Sequence, residues 1–279
     1  MKYGTLVRIG NSDDAYEKFK KLSEIGIDSC QLVYKPENYV LSEAAKIRAA
    51  AEKCSIEISA FFAGFRDGFI SWDLKYDYRN AGLGSAAFGA ERLRYVVSAL
   101  PFVKELGVTD VIVHAGFIPN DPFASAYADM LCRIKLLTAE AAALGLNILF
   151  ETGGESPVTL LRTIVEIGAD NLFINLDTGN LIMYGYGNPA DAVMTFGKYV
   201  RNVHAKDGLP PTDPYRLGKE VPIGEGVVDF ERVLRLLLDV GYDRFITIER
   251  EITGEEQTRD IKNGLQYLKN IIKKLKNKE

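Results

Sequence analysis

Along the chain, short runs in which nearly every position is apolar alternate with longer runs in which apolar residues recur every three or four positions. The first pattern suits a strand buried on both faces and the second an amphipathic helix, so their alternation predicts repeated βα units around a parallel sheet. Strands are expected near Tyr3–Ile9, Asp28–Tyr34, Ile56–Phe62, Asp110–His114, Asn147–Glu151, Leu172–Asp177, Val200–His204 and Phe245–Glu249. Helical periodicity lies between them in DDAYEKFKKLSEIG, SEAAKIRAAAEKC, ERLRYVVSALPFVKELG, FASAYADMLCRIKLLTAEAAALG and DFERVLRLLLDVG. Several of these close on a glycine just past the last turn. Eight such units in 279 residues predict an α/β fold, a single (β/α)8 TIM barrel that forms one domain over residues 1–279. An open doubly wound sheet is the competitor. It requires a Gly-rich phosphate turn after the first strand, and RIGNSDD lacks the GxGxxG spacing.

Composition narrows the class. With 47% apolar and 26% charged residues the chain has ample material for a core, which excludes disorder and fibrous architectures. Lys and Arg total 34 against 38 for Asp and Glu, a net charge of −4 with no basic block, so no nucleic acid partner is expected. The opening MKYGTLVRIGNSDD has no apolar segment of signal-peptide length, and LLTAEAAALGLNILF is short and interrupted by Glu140. No membrane partner is expected, and the chain is read as cytoplasmic. Cys30, Cys54 and Cys132 are odd in number and set in apolar context. They are expected to be buried reduced thiols rather than disulfides or zinc ligands.

Two connections exceed what a barrel needs. The stretch after strand 3, AGFRDGFISWDLKYDYRNAGLGS, carries Phe65, Phe69, the only Trp (Trp72), Tyr76 and Tyr78. The stretch after strand 7, KDGLPPTDPYRLGKEVPIGEG, is rich in Pro and Gly. Long loops of this kind are usually functional, so a lid over the barrel mouth or a contact within a homo-oligomer is expected.

The chemistry concentrates at strand ends. Both histidines, His114 in VIVHAGF and His204 in VRNVHAKDG, end predicted strands, as do Glu151 in NILFETGGES, Asp177 in LFINLDTGN and Glu249 in FITIERE. Side chains two apart on a strand share a face. Leu172, Ile174 and Leu176 take the helix-facing phase of strand 6, which leaves Asn175 and Asp177 inward. Asn202 pairs with His204 in phase, and Thr247 with Glu249, while Ile246 and Ile248 face outward. Alone, Asp177 reads equally well as a helix cap, and either glutamate as a salt-bridge partner. Together, three inward carboxylates and an imidazole on one rim are costly to bury without a cation. Their spacing matches successive βα units. Three oxygens and one nitrogen suit Mn²⁺ first, with Mg²⁺, Co²⁺ and Zn²⁺ as alternatives.

At these residues the chain resembles the xylose-isomerase-like TIM barrels, the sugar isomerase and epimerase family that includes D-tagatose and D-psicose 3-epimerases, hydroxypyruvate isomerase, inosose dehydratase and, more distantly, endonuclease IV. The resemblance covers most of the chain and is densest in VIVHAGF, ILFETGGES, FINLDTGN, VHAKDG, VPIGEGVVDF and ITIEREITG. It implies a metal set of Glu151, Asp177, His204 and Glu249, and a substrate-side role for His114. Two positions depart from the ketose 3-epimerase pattern. Asn180 stands where those enzymes commonly have a substrate-binding His, and Pro210 where they commonly have an Arg, for which Lys206 or Arg216 is the candidate replacement.

The function expected is isomerisation or epimerisation of a small-molecule sugar, a ketose or related keto-sugar, through an enediolate stabilised by the divalent metal. Glu151 and Glu249 are the expected bases, and the resemblance implies that they flank the substrate from opposite faces. His114, Asn180, Lys206, Arg216 and Trp72 are expected to bind it. A dehydratase acting on a keto-inositol-type substrate uses the same intermediate, with His114 or Lys206 as acid. A sugar-binding or partner subunit without turnover is the non-enzymatic alternative. Endonuclease chemistry needs more histidines than two and a basic surface.

Overall fold

The computed structural model describes residues 1–66, 72–73 and 80–277. Of the aromatic loop after strand 3, Phe69, Tyr76 and Tyr78 lie outside the described residues. All eight expected strands form: β1 (Lys2–Ile9), β2 (Ser29–Tyr34), β3 (Glu57–Phe62), β4 (Asp110–Val113), β5 (Asn147–Glu151), β6 (Leu172–Asp177), β7 (Val200–Ala205) and, beyond two short strands, β10 (Phe245–Ile248). Each pairs in parallel with its neighbours, and β1 closes on β10, so the sheet is a complete barrel with no free edge. The short strands β8 (Asp207–Leu209) and β9 (Lys219–Val221) form an antiparallel pair inside the long connection after β7.

The helices α1 (Ala15–Glu24), α2 (Leu41–Lys53), α3 (Gly89–Leu106), α4 (Ser125–Ala143), α5 (Pro157–Ile167), α6 (Thr178–Tyr184), α7 (Pro189–Phe196), α8 (Phe230–Asp239) and α9 (Glu255–Lys276) follow the strands. Their ends follow local chemistry. Ser156 accepts the Thr159 N–H ahead of α5, with Pro157 in the first turn. Gly107 ends α3 in the left-handed region at φ 81°, where a side chain is strained. Among the described residues, no helix is long and apolar enough to cross a membrane.

The cysteines need a correction. Cys30 is buried, but Cys54 is half-buried and Cys132 is exposed, all three free. Cys132 lies on the α4 face opposite the buried Met130 and Ile134, so its apolar sequence context did not mean burial.

The apolar phase of the strands packs outward on the helices: Leu172, Ile174, Leu176, Ile246 and Ile248 all belong to the main core. Inside the barrel lies a smaller apolar cluster of Ala60, Ile112 and Leu149, against which Phe62 and Phe173 pack. The rest of the lumen is polar. Gln31, Asn175, Asn202 and Thr247 are fully buried there, with Gln31 donating to Asn175 Oδ1 at 3.4 Å and Thr247 to Asn202 Oδ1 at 3.3 Å.

Two register shifts aim these side chains. Between β6 and β7, Ile174 pairs with Val200 but Asn175 pairs with Asn202, so Arg201 is an extra residue. Without that bulge Asp177 pairs with Val203; with it, Asp177 sits beside His204. A similar shift between β2 and β3 skips Ser59 and sets Gln31 beside Ala60.

The lower end of the lumen is closed by charge. Asp110 is 1% exposed and meets Arg201 at 3.2 Å, Arg244 at 3.1 Å and the Asn147 amide at 2.7 Å. Asp110→Asn keeps the shape but removes the charge from two charge-assisted contacts. It is expected to lower unfolding free energy by roughly 2 kcal/mol, read from denaturant midpoints at unchanged slope.

Candidate metal centre and its surroundings

Glu151 closes β5, Asp177 closes β6, His204 is the penultimate residue of β7, and Glu249 follows β10 directly. Although β10 ends at Ile248, the Glu249 N–H still donates to Ala205 O at 3.1 Å, which continues the ladder and holds the side chain on the rim. One ligand atom from each of the four residues lies within 4.8 Å of every other, and all four are buried.

His204 Nδ1 is the hub. It lies 3.1 Å from Glu151 Oε1, 2.8 Å from Glu249 Oε2 and 3.6 Å from Asp177 Oδ2. A single ring N–H cannot serve three carboxylates, and Glu151 Oε2, Asp177 Oδ2 and Glu249 Oε2 accept no well-directed hydrogen bond even where a ring nitrogen lies close. Orphaned carboxylate oxygens aimed at one point are costly in a buried place, and a divalent cation satisfies all of them. The donor set of three carboxylates and one imidazole therefore fits a hard or borderline metal.

The charges confirm the crowding. Burial pushes the Asp177 carboxyl up to about 8, even against the nearby Lys206 ammonium and His204. Burial opposes charge on His204 as well, but Glu249 and Glu151 outweigh it and hold the imidazole well above its ordinary value. Glu249 is also pushed up by burial, yet Lys206 and His204 pull it well below the usual carboxylate range.

Two of the four candidate ligands, His204 and Asp177, are held by neighbours outside the set. Gln31 Oε1 is 2.5 Å from His204 Nε2, and the other end of that amide is committed to Asn175, so Nε2 keeps its proton and Nδ1 is the nitrogen that loses its own when a metal binds. Asp177 divides its oxygens. Oδ1 caps α6 by accepting the Asn180 N–H at 2.7 Å, and Oδ2 faces the centre, so the cap and ligand readings of this residue are compatible. The Thr152 hydroxyl accepts the Asp177 N–H and donates to the Asp177 carbonyl, both at 2.9 Å. Thr178 does the same one strand on, binding the Lys206 carbonyl at 2.6 Å and the His204 carbonyl at 3.3 Å. Gln31→Leu removes the tautomer lock without opening a large void. It is expected to weaken metal affinity by roughly 10- to 100-fold, measured by competition with a chelating dye.

The expected substrate-side residues separate into two groups. His114, one residue past β4, points Nε2 to within 3.2 Å of Glu151 Oε2 and remains 26% exposed to the pocket. Asn180 lies 3.4 Å from Glu151 Oε1 and accepts the Lys206 ammonium at 3.2 Å. Lys206 is 1% exposed, 2.9 Å from Glu251, 3.7 Å from Glu249 and 3.8 Å from Asp177. Gly179 makes room for that lysine, since a Cβ there meets Lys206 Cγ at 2.7 Å. The Trp72 ring packs on His114 at a tilt of 48°, with ring centroids 4.7 Å apart. Arg216 is not brought to this group; it is exposed and lines a second cavity farther out.

Sequence reasoning missed Gln31, Thr152, Thr178, Asp207 and Glu251. The signals were a glutamine inside the buried strand SCQLVY and a threonine directly after Glu151 and after Asp177. Asp207 pins the long connection after β7, accepting N–H groups from Gly208, Gly224, Gly226 and Val228 at 2.9 to 3.1 Å. A Cβ on Gly226 meets Asp207 Oδ1 at 2.1 Å, which explains the glycine in IGEG.

The fold is a parallel (β/α)8 barrel that gathers four potential metal ligands at the C-terminal ends of its strands. The xylose isomerase-like TIM barrel model matches residues 19–271, and the chain belongs to that family. Among solved structures, a xylose isomerase domain protein from Planctomyces limnophilus is 27% identical, with a TM-score of 0.87 and 99% of each chain covered. A D-tagatose 3-epimerase-like protein shares the fold at 23% identity and a TM-score of 0.76, over 100% of this chain and 99% of that one. The inosose dehydratase of Klebsiella pneumoniae is 31% identical over 97 residues, a segment covering 29% of this chain and 32% of that protein.

Proposed function

We propose that this protein is a divalent-metal-dependent isomerase or epimerase that moves a proton at the carbon beside the carbonyl of a keto-sugar. The observation that carries the reading is the convergence of the Glu151, Asp177 and Glu249 carboxylates on His204 Nδ1, each with one oxygen left without a well-formed hydrogen bond, beside an open pocket that His114 lines. Mn²⁺ is the metal of choice; bound by these four side chains, it supplies the positive charge that makes an enediolate accessible near neutral pH.

The chain's own residues do the rest. Glu151 and Glu249 come from the first and last of four adjacent strands, β5, β6, β7 and β10, an arrangement that supports their flanking the substrate from opposite faces. One, as a carboxylate, takes the substrate proton and keeps it, and the other, as a carboxylic acid, gives its own proton to the opposite face, which inverts the carbon; proton delivery to a neighbouring carbon isomerises the sugar. His114, within hydrogen-bond distance of Glu151, binds a substrate oxygen and steadies that carboxylate. Trp72 and Phe62 flank the His114 ring and limit water beside it. Asn180 and Lys206 bind substrate oxygens on the Asp177 side.

One observation favours elimination as a second reading. Lys206 is a buried cation beside Glu249, placed to protonate a departing β-hydroxyl, and the segment shared with an inosose dehydratase supports it. The deciding experiment is deuterium exchange from D₂O into a panel of ketoses and keto-inositols with Mn²⁺ added. Exchange with sugar product supports the first reading, and exchange with loss of water the second. No exchange into any panel member, with metal bound, overturns both.

A further inference from the structure

Two cavities meet at Trp72. The inner one, about 210 Å³, reaches His114 and Glu249, with Arg8 and Lys35 on its far wall. The outer one, about 430 Å³, is walled by Trp72, Phe117, Tyr184 and Tyr186 on one side and by Arg216 and Leu217 of the long connection on the other. Pockets for drug-sized ligands run roughly 300 to 1,000 Å³. The inner space falls below that range and suits a single small ring, whereas the outer space lies within it.

The outer wall has the chemistry of a carbohydrate platform. Trp72 lies 5.9 Å from Phe117 and 6.2 Å from Tyr184, Phe117 lies 5.9 Å from Tyr184, and Tyr186 extends the row at 6.3 Å from Phe117. Rings supported by each other present fixed apolar faces at little entropic cost. A pyranose offers a patch of C–H groups on one face and hydroxyls around its edge, so it lies on such rings while its edge meets polar groups. Arg216 and Asp213 supply those groups at the mouth. The two walls are tied together, since Asp73 Oδ1 accepts the Leu217 N–H at 2.9 Å.

We infer that the outer cavity is a second-ring subsite, so that the substrate is a glycosylated keto-sugar whose reacting ring sits at the metal centre and whose second sugar lies on the aromatic wall. The inference deepens the keto-sugar reading and rests on it. A free monosaccharide fills only the inner cavity and leaves these rings uncovered.

The test uses Trp72, the only tryptophan, as reporter in the Mn²⁺-loaded full chain. Fluorescence titrations compare D-glucose with the disaccharides cellobiose, maltose and sucrose. At least one disaccharide is expected to bind roughly 10-fold more tightly than glucose, the equivalent of about 1.4 kcal/mol from an added ring contact. Tyr186→Ala, at a position 40% exposed and therefore safe for folding, is expected to reduce that preference to about 3-fold or less. Arg216→Ala is a second variant at an exposed position and lowers the same ratio. Equal affinity for glucose and all three disaccharides, no binding of any, or a preference unchanged in both variants overturns the subsite. Deuterium exchange on free ketoses separates the two readings. Exchange without disaccharide preference removes the subsite and leaves the enzyme reading, whereas preference without exchange on free ketoses or on keto-disaccharides keeps a two-ring binding site but removes the enzyme reading and with it the substrate assignment.

Discussion

Glu249→Gln and Glu151→Gln, assayed with metal held saturating, are each expected to lower turnover roughly 10²- to 10⁴-fold, the usual cost of losing a general base. Gln keeps an oxygen donor and nearly the same shape, so the loss reads proton transfer rather than packing. Both carboxylates are buried and lie against His204 Nδ1, so the proposed function gives them a ligand role beside the base role. Metal content must therefore be measured beside the rate. An epimerase makes a finer prediction: with one base gone, the remaining one still exchanges the substrate proton with solvent from its own face, while inversion stops. An isomerase with a single base shows one fatal and one mild substitution. Near wild-type exchange in both variants at bound metal assigns the carboxylates a ligand role only, and His114, 3.2 Å from Glu151, becomes the leading base.

Saturating the protein with Mn²⁺ is expected to raise its unfolding free energy by about 4 kcal/mol at 1,000 times the dissociation constant, with a matching rise in melting temperature that a chelator reverses. The effect depends on pH in a definite direction. Burial raises Asp177 to about 8 and the surrounding carboxylates raise His204, so the metal-free fold holds protons that the unfolded chain releases. For Asp177 that extra stability is complete below its ordinary value of 3.8 and is lost as pH climbs to about 8. Metal displaces those protons. Its affinity therefore rises with pH across the same window, and the melting curves of metal-free and metal-loaded protein diverge as pH increases. Calorimetry in buffers of different ionisation enthalpy should show proton release on binding. Affinity that is flat from pH 5 to 8, or proton uptake, contradicts the assignment of Asp177 and His204 as ligands.

How much of this was legible in the sequence differs by level. Strand positions were readable because barrel strands are apolar on the helix side without interruption, as in β6 and β10. The inward phase of Asp177, His204 and Glu249 followed from simple alternation, and proximity at the rim followed from the order of the strands. Burial of individual side chains on helices was less readable: Cys132 sits among apolar neighbours yet lies on the solvent side. Arg216 is near the site in sequence order but belongs to an outer wall, because β8 and β9 fold the connection after β7 back on itself.

By itself the sequence determined the fold and which side chains reach the mouth of the barrel, since both depend on local periodicity and on the order of βα units. Only the tertiary structure decided how those side chains meet. The extra residue Arg201 in β7 sets His204 beside Asp177, and Gln31 reaches across the lumen to choose the imidazole tautomer. Thr152 ties the end of β5 to β6 and Thr178 ties β6 to β7, and Trp72 joins two cavities from a distant loop. These are contacts between strands far apart in the chain. A register shift changes which pairs meet without changing the hydrophobic pattern of either strand, so periodicity carries no trace of it.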